Sequence, residues 1–98
     1  MNKDVLHTPL FPLGRTFATP GALELMQRTG TTPWVLLGRH RSGDFGCLDA
    51  YDCAANHRAV LDGTRILSAY ELGPANEKIW VITEADRSST TILLPSDY

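Results

Sequence analysis

The apolar residues of this chain change rhythm near residue 64. Before that point they recur at helical spacing; after it they run in short, β-branched stretches. Two Thr-Pro pairs punctuate the first half. Thr19-Pro20 predicts a helix with Thr19 as N-cap and Pro20 in its first turn, carrying Leu23, Leu25 and Met26 and ending at Gly30. Thr32-Pro33 repeats the signal and opens a second helix through Trp34-Val35-Leu36-Leu37, ending by Gly43. Asp49 predicts the N-cap of a third helix through Asp62, with Gly63 as its stop and Asp52 near its free N–H groups. Tyr51, Ala54, Ala55, Arg58, Ala59 and Leu61 form the expected face of this helix.

Strands are predicted at Ile66 to Leu72, Lys78 to Thr83 and Thr90 to Leu94. Gly73-Pro74-Ala75-Asn76 and the polar run Glu84 to Ser89 are their turns. Short links imply an antiparallel meander. A further short strand is expected from Leu13 to Ala18, after a loosely ordered arm over residues 1–10. One strand, three helices and three strands in that order describe an α+β fold, with the helices on one face of the sheet. Trp80 and Ile82 point to one side of the central strand, Ile79 and Val81 to the other. One side meets the helices. The other is closed either by a second copy, giving a homodimer, or by loops and the N-terminal arm.

Ninety-eight residues suit one domain, 1–98. A net charge of -2 gives no broad attraction to nucleic acid or to anionic membranes, and is too mild for a DNA mimic. There is no apolar run of membrane-spanning length and no signal-peptide pattern, so a cytoplasmic location is expected. Cys47 and Cys53 fit free thiols in a reducing compartment.

Candidate chemistry concentrates in residues 38–46, which hold three glycines, Arg39, His40, Arg41 and Asp44. Arginines and glycine N–H groups could hold a phosphate, and Asp44 could orient the His40 imidazole, as in a small toxin-like ribonuclease. The competing reading is a shaped connection: Gly43 and Gly46 supply positive φ, and the arginines complement a helix C-terminus. The spacing matches no P-loop or dinucleotide fingerprint, so no cofactor is expected. Cys47, Cys53 and His57, with His40, offer a zinc reading, but no closely spaced ligand pair supports it and no metal is expected. Asp86 and Arg87 form a second polar cluster, read more simply as turn chemistry. Trp34 and Trp80, inside apolar runs, are expected in the core. Phe45, Tyr51 and Tyr98 are expected on an exposed contact surface. No helix interleaves aromatic and basic residues as a nucleic-acid reader does, so weak nucleic-acid binding is only an alternative.

The segment from Leu36 to Tyr98 resembles a family of small uncharacterised bacterial proteins described as plasmid-related, some of them labelled type I restriction subunits. The likeness lies in Arg39-His40-x-Ser42-Gly43-Asp44-Phe45-Gly46, Ala54-Ala55-Asn56, Asp62-Gly63-x-Arg65-Ile66-Leu67-Ser68, Ile79 to Ser88 and Thr91 to Pro95. Pro12-Leu13-Gly14 and Ala18 to Ala22 match more loosely. The resemblance implies a compact α+β domain carried on mobile genetic elements and brings no catalytic residues with it. The expected function is therefore binding of a protein partner, in one version a host-defence complex. The expected surface is Arg39, His40, Asp44 and Phe45, with Asp86 and Arg87 second.

Overall fold

In the computed structural model, which describes residues 9–98, three helices start at the predicted positions, and two of the three predicted N-caps make a capping bond. Helix α1 (Pro20–Arg28) begins where the Thr19 hydroxyl accepts from the Ala22 N–H. Helix α2 (Pro33–Arg41) follows Thr32, whose hydroxyl makes no capping bond. Helix α3 (Ala50–Asp62) is capped by Asp49 and stopped by Gly63 in the left-handed region. Of the arm expected over 1–10, only Pro9 and Leu10 lie within the described residues, and the Leu10 N–H donates to the Arg41 carbonyl at 2.7 Å.

The sheet has four strands in the order β1-β4-β3-β2, with β1 (Arg15–Ala18), β2 (Ile66–Leu72), β3 (Glu77–Thr83) and β4 (Ser89–Leu93). The expected antiparallel meander is present in β2, β3 and β4. Strand β1 joins it in parallel, beside β4, so the sheet is mixed. Such pairing needs a long crossover, which the three helices and two more strands supply.

Registered positions share a face. Ile66, Ser68, Tyr70, Ile79, Val81, Thr83, Thr90 and Ile92 therefore form one surface, and all are buried. Ala22, Leu25 and Met26 of α1 and Leu36 and Leu37 of α2 complete this core. Phe11, Phe45, Ala59 and Ile66 make a second cluster under α3. The face of α3 that packs is Cys53, Asn56, Ala59 and Val60; of the expected face only Ala59 is buried, and Tyr51 and Leu61 are exposed. Asn56 takes a core position because its amide serves both backbone groups of Leu67, on the outer edge of β2.

The opposite face is partly covered by a segment the pattern did not suggest. A 3-10 turn at Pro95–Asp97 brings Tyr98 edge-on to Trp80, with ring centroids 5.7 Å apart. Trp80 is half-buried, while Ala69, Ile82 and Leu93 on the same face are buried.

Candidate functional site

Helix α2 carries most of the candidate residues and sorts them by angle. At 100° per residue, Leu36, Leu37 and His40 fall on one side and are buried. Trp34, Gly38 and Arg41 fall on the adjoining strip, which is turned out of the core. Four consecutive apolar residues cannot all face inward on a helix, and the core slot one turn beyond Leu36 belongs to His40. Trp34 is therefore expelled rather than in the core, and is 73% exposed.

His40 is completely buried, which corrects its place among surface residues. Its Nδ1 lies 2.6 Å from the Ser68 hydroxyl and its Nε2 lies 2.8 Å from the Thr83 hydroxyl. Thr83 in turn meets the Thr90 hydroxyl at 2.6 Å, and Thr90 donates to the Leu13 carbonyl at 2.7 Å. A carbonyl only accepts, so the proton directions follow in sequence. Thr90 spends its proton on Leu13 and accepts from Thr83. Thr83 then accepts from His40, which must carry its proton on Nε2 and accept from Ser68 at Nδ1. Burial, reinforced by the positive charge of Arg87, pulls the imidazole down to a pKa of about 4. It is a neutral, fully bonded core group with no face for a substrate.

Asp44 does not orient this histidine. Its carboxylate takes a two-point bond from Arg39, at 2.6 and 3.3 Å, and accepts from the Gly46 N–H. The guanidinium holds the Asp44 carboxyl below its ordinary range and is itself raised by that bond. Arg39 also stacks over Tyr70, 4.5 Å from the ring centre. Phe45, expected on the contact surface, is 2% exposed, wedged edge-on against His57.

Residues 42–47 form a shaped connection. The N–H groups of Ser42, Gly43 and Asp44 bond to Arg39 and His40 carbonyls, so these three are not free to cradle a phosphate. Phe45 and Cys47 then bond Ala69 on the edge of β2. Gly46 sits between them with φ of 81°, where a Cβ would lie 1.9 Å from the Ala69 carbonyl oxygen.

The second cluster is also architectural. Asp86 accepts from the Ser88 N–H, and the Ser88 hydroxyl first and that N–H second keep its carboxyl low. Arg87, with φ of 60°, donates to the carbonyls of Ala59, Thr64 and Glu84, closing the C-terminus of α3. Phe11 bridges the two clusters, lying edge-on to His40 and under Arg87. Cys47 is exposed and Cys53 half-buried; among the described residues no three His, Cys, Asp or Glu side chains are placed to share a metal ion.

Beside the candidate loop, the outer side of α2 is open to a partner. Trp34, Val35, Gly38, Arg39, Arg41, Ser42 and Asp44 line a shallow groove of about 510 Å³. Arg41 is exposed and pairs with no carboxylate among the described residues. Gly38 forms its floor, and a Cβ there would meet nothing within 4 Å. Trp34 was expected in the core and Gly38 only within the candidate loop, and Val35 was not singled out as a surface group, although a mid-helix glycine one turn from a tryptophan was a visible signal. Ser68, Thr83 and Thr90 were missed too; each is a polar residue at an inward position of an apolar strand. Comparison with family models, with curated proteins and with solved structures found no match.

Proposed function

We propose that this chain is a small protein-binding accessory domain that docks through the outer side of α2. The observation that carries this reading is the pairing of a 73% exposed Trp34 with Gly38 one turn later. A mid-helix glycine costs about 1 kcal/mol against alanine. The fold gains nothing from it, since the space above it is open. A close-approaching partner would gain. The residues that carry most binding energy at protein interfaces are enriched in tryptophan and arginine. The partner that suits this groove offers an apolar side chain to Trp34 and Gly38, and a carboxylate to Arg41.

The burial of His40 and the engagement of Asp44 by Arg39 weigh against the ribonuclease alternative, which needs both groups in solvent. The resemblance of residues 36–98 to plasmid-related bacterial proteins supports a setting on mobile elements, with a host-defence complex as one form of partner.

The test is affinity purification from the native host with wild type, Trp34→Ala and Gly38→Leu side by side, and Tyr51→Ala as a surface control. One stoichiometric protein, retained by the control and lost from both groove variants, is the expected result. Equal recovery on all four baits would refute the groove. Salt-sensitive retardation of RNA or DNA, with no protein recovered, would shift the reading to nucleic-acid binding.

A further inference from the structure

The two edges of the sheet are treated differently. On β2, the outward backbone groups of Leu67 are both taken by the Asn56 amide, and those of Ala69 by Phe45 and Cys47. That edge is closed over Leu67 and Ala69, and only Glu71, at its far end, keeps outward groups with no partner among the described residues. On β1, the Arg15 N–H donates to Ser88 and the Thr19 N–H to Ile92. In a parallel ladder alternate residues face the neighbour. The odd-numbered residues of β1 thus face β4, and the N–H and C=O groups of Thr16 and Ala18 face outward. No described residue pairs with them. Open edges of this kind are templates for another strand.

We infer that β1 pairs antiparallel with β1 of a second copy, about a two-fold axis through Phe17. The register is dictated by which groups are free. Thr16 of each copy exchanges both bonds with Ala18 of the other, a four-bond ladder. Phe17 then lies directly opposite its own mate as a non-hydrogen-bonded pair, where side chains come closest. It is 52% exposed in the single chain. On the helix-bearing face the seam carries only threonine and alanine, beneath the exposed Trp34.

Charge agrees with the same register. Arg15 falls opposite Thr19, which is still extended at φ −71° and ψ 156°. The Thr19 hydroxyl donates to Asp97 Oδ2 at 2.6 Å, and the Leu94 N–H also reaches that oxygen. Oδ1 of Asp97 has no partner among the described residues. Each Arg15 therefore faces the Asp97 carboxylate of the other copy, twice around the axis. No other register places Phe17 on Phe17 and Arg15 beside Asp97 together.

Sedimentation equilibrium at about 100 μM, a concentration suited to an interface at the small end of the size range, should give twice the 10.8 kDa chain mass. Phe17→Lys should give the single mass with an unchanged far-ultraviolet spectrum. Arg15→Glu should weaken association at least tenfold, and Arg15→Glu with Asp97→Lys should restore it. In a background with Cys47→Ser and Cys53→Ser, Phe17→Cys should form a covalent dimer on mild oxidation, and Arg15→Cys should not. A wild-type monomer at that concentration overturns the inference. So does a dimer that survives Phe17→Lys, or cross-linking of Arg15→Cys as efficient as that of Phe17→Cys.

Discussion

Thr83 and Thr90 face each other across β3 and β4, hydroxyl to hydroxyl at 2.6 Å. Adjacent strands set them opposite only in the observed register, and a slip of one residue would turn each to the other face of the sheet. The pair passes the His40 proton direction on to Leu13, joining α2, the two central strands and the segment before β1 in one buried chain. Every member is satisfied, and no buried side-chain nitrogen or oxygen among the described residues lacks a partner. A complete network of this kind makes the register unique.

Thr83→Val keeps the shape and removes the acceptor of His40. The imidazole N–H is then buried without a partner, and stability is expected to fall by about 2 kcal/mol. Adding His40→Leu removes the stranded donor, so the double variant should lose less than the two single losses added. Urea denaturation of the four proteins in the cycle checks this. A neutral Thr83→Val would mean that the bond does not contribute.

The same burial predicts sensitivity to acid. The folded His40 has a pKa of about 4, below its ordinary 6.5. Between these values the unfolded chain binds more protons, so stability is full above pH 6.5 and declines as pH falls toward 4. Below pH 4 both states carry the proton and His40 adds no further loss. The group's whole contribution is about 3 kcal/mol. Asp44, held low by Arg39, acts in the same direction at lower pH. Urea midpoints should hold from pH 7.5 to about 6.5 and then fall to pH 4.5, and His40→Gln should flatten that fall. An unchanged slope in the variant would assign the acid loss to other groups.

Gly46→Ala is expected to destabilise by about 3 kcal/mol or more, because a left-handed backbone and a backbone collision coincide there. The bonds from Ala69 to Phe45 and from Cys47 to Ala69 should open first. Faster amide hydrogen exchange at Ala69 and Cys47, relative to Ile79 in the central strand, is the readout. Native-like protection at both amides would show that the loop accommodates the methyl group.

Gly38→Ala should do the reverse. The position is helical and open, so stability should rise by about 1 kcal/mol. Trp34→Ala, on the same exposed side, should change it by less than about 0.5 kcal/mol. Thermal melts of both variants check this. A large loss in either would give these residues a part in the fold and remove the argument for a docking face.

Local chemistry was legible. Thr19 and Asp49 cap their helices, Gly63 stops α3, and the strand limits of β2, β3 and β4 fall within one residue of those expected. These features depend on backbone rules acting over a few positions. The candidate loop was legible as a location but not in its chemistry. Arg39, His40 and Asp44 are neighbours in sequence, yet a helix turns His40 inward while Arg39 and Asp44 close on each other outside. The side chains that satisfy His40 come from 28 and 43 positions away.

The amino-acid order by itself determined an α+β chain of three capped helices and a terminal meander, because caps, turns and residue periodicity are short-range constraints. Tertiary structure alone decided that β1 lies parallel to β4 with an outer edge that no described residue pairs, that His40 enters the core and that Trp34 leaves it. Each of those outcomes depends on which distant groups compete for one buried position, and a linear pattern does not encode that competition.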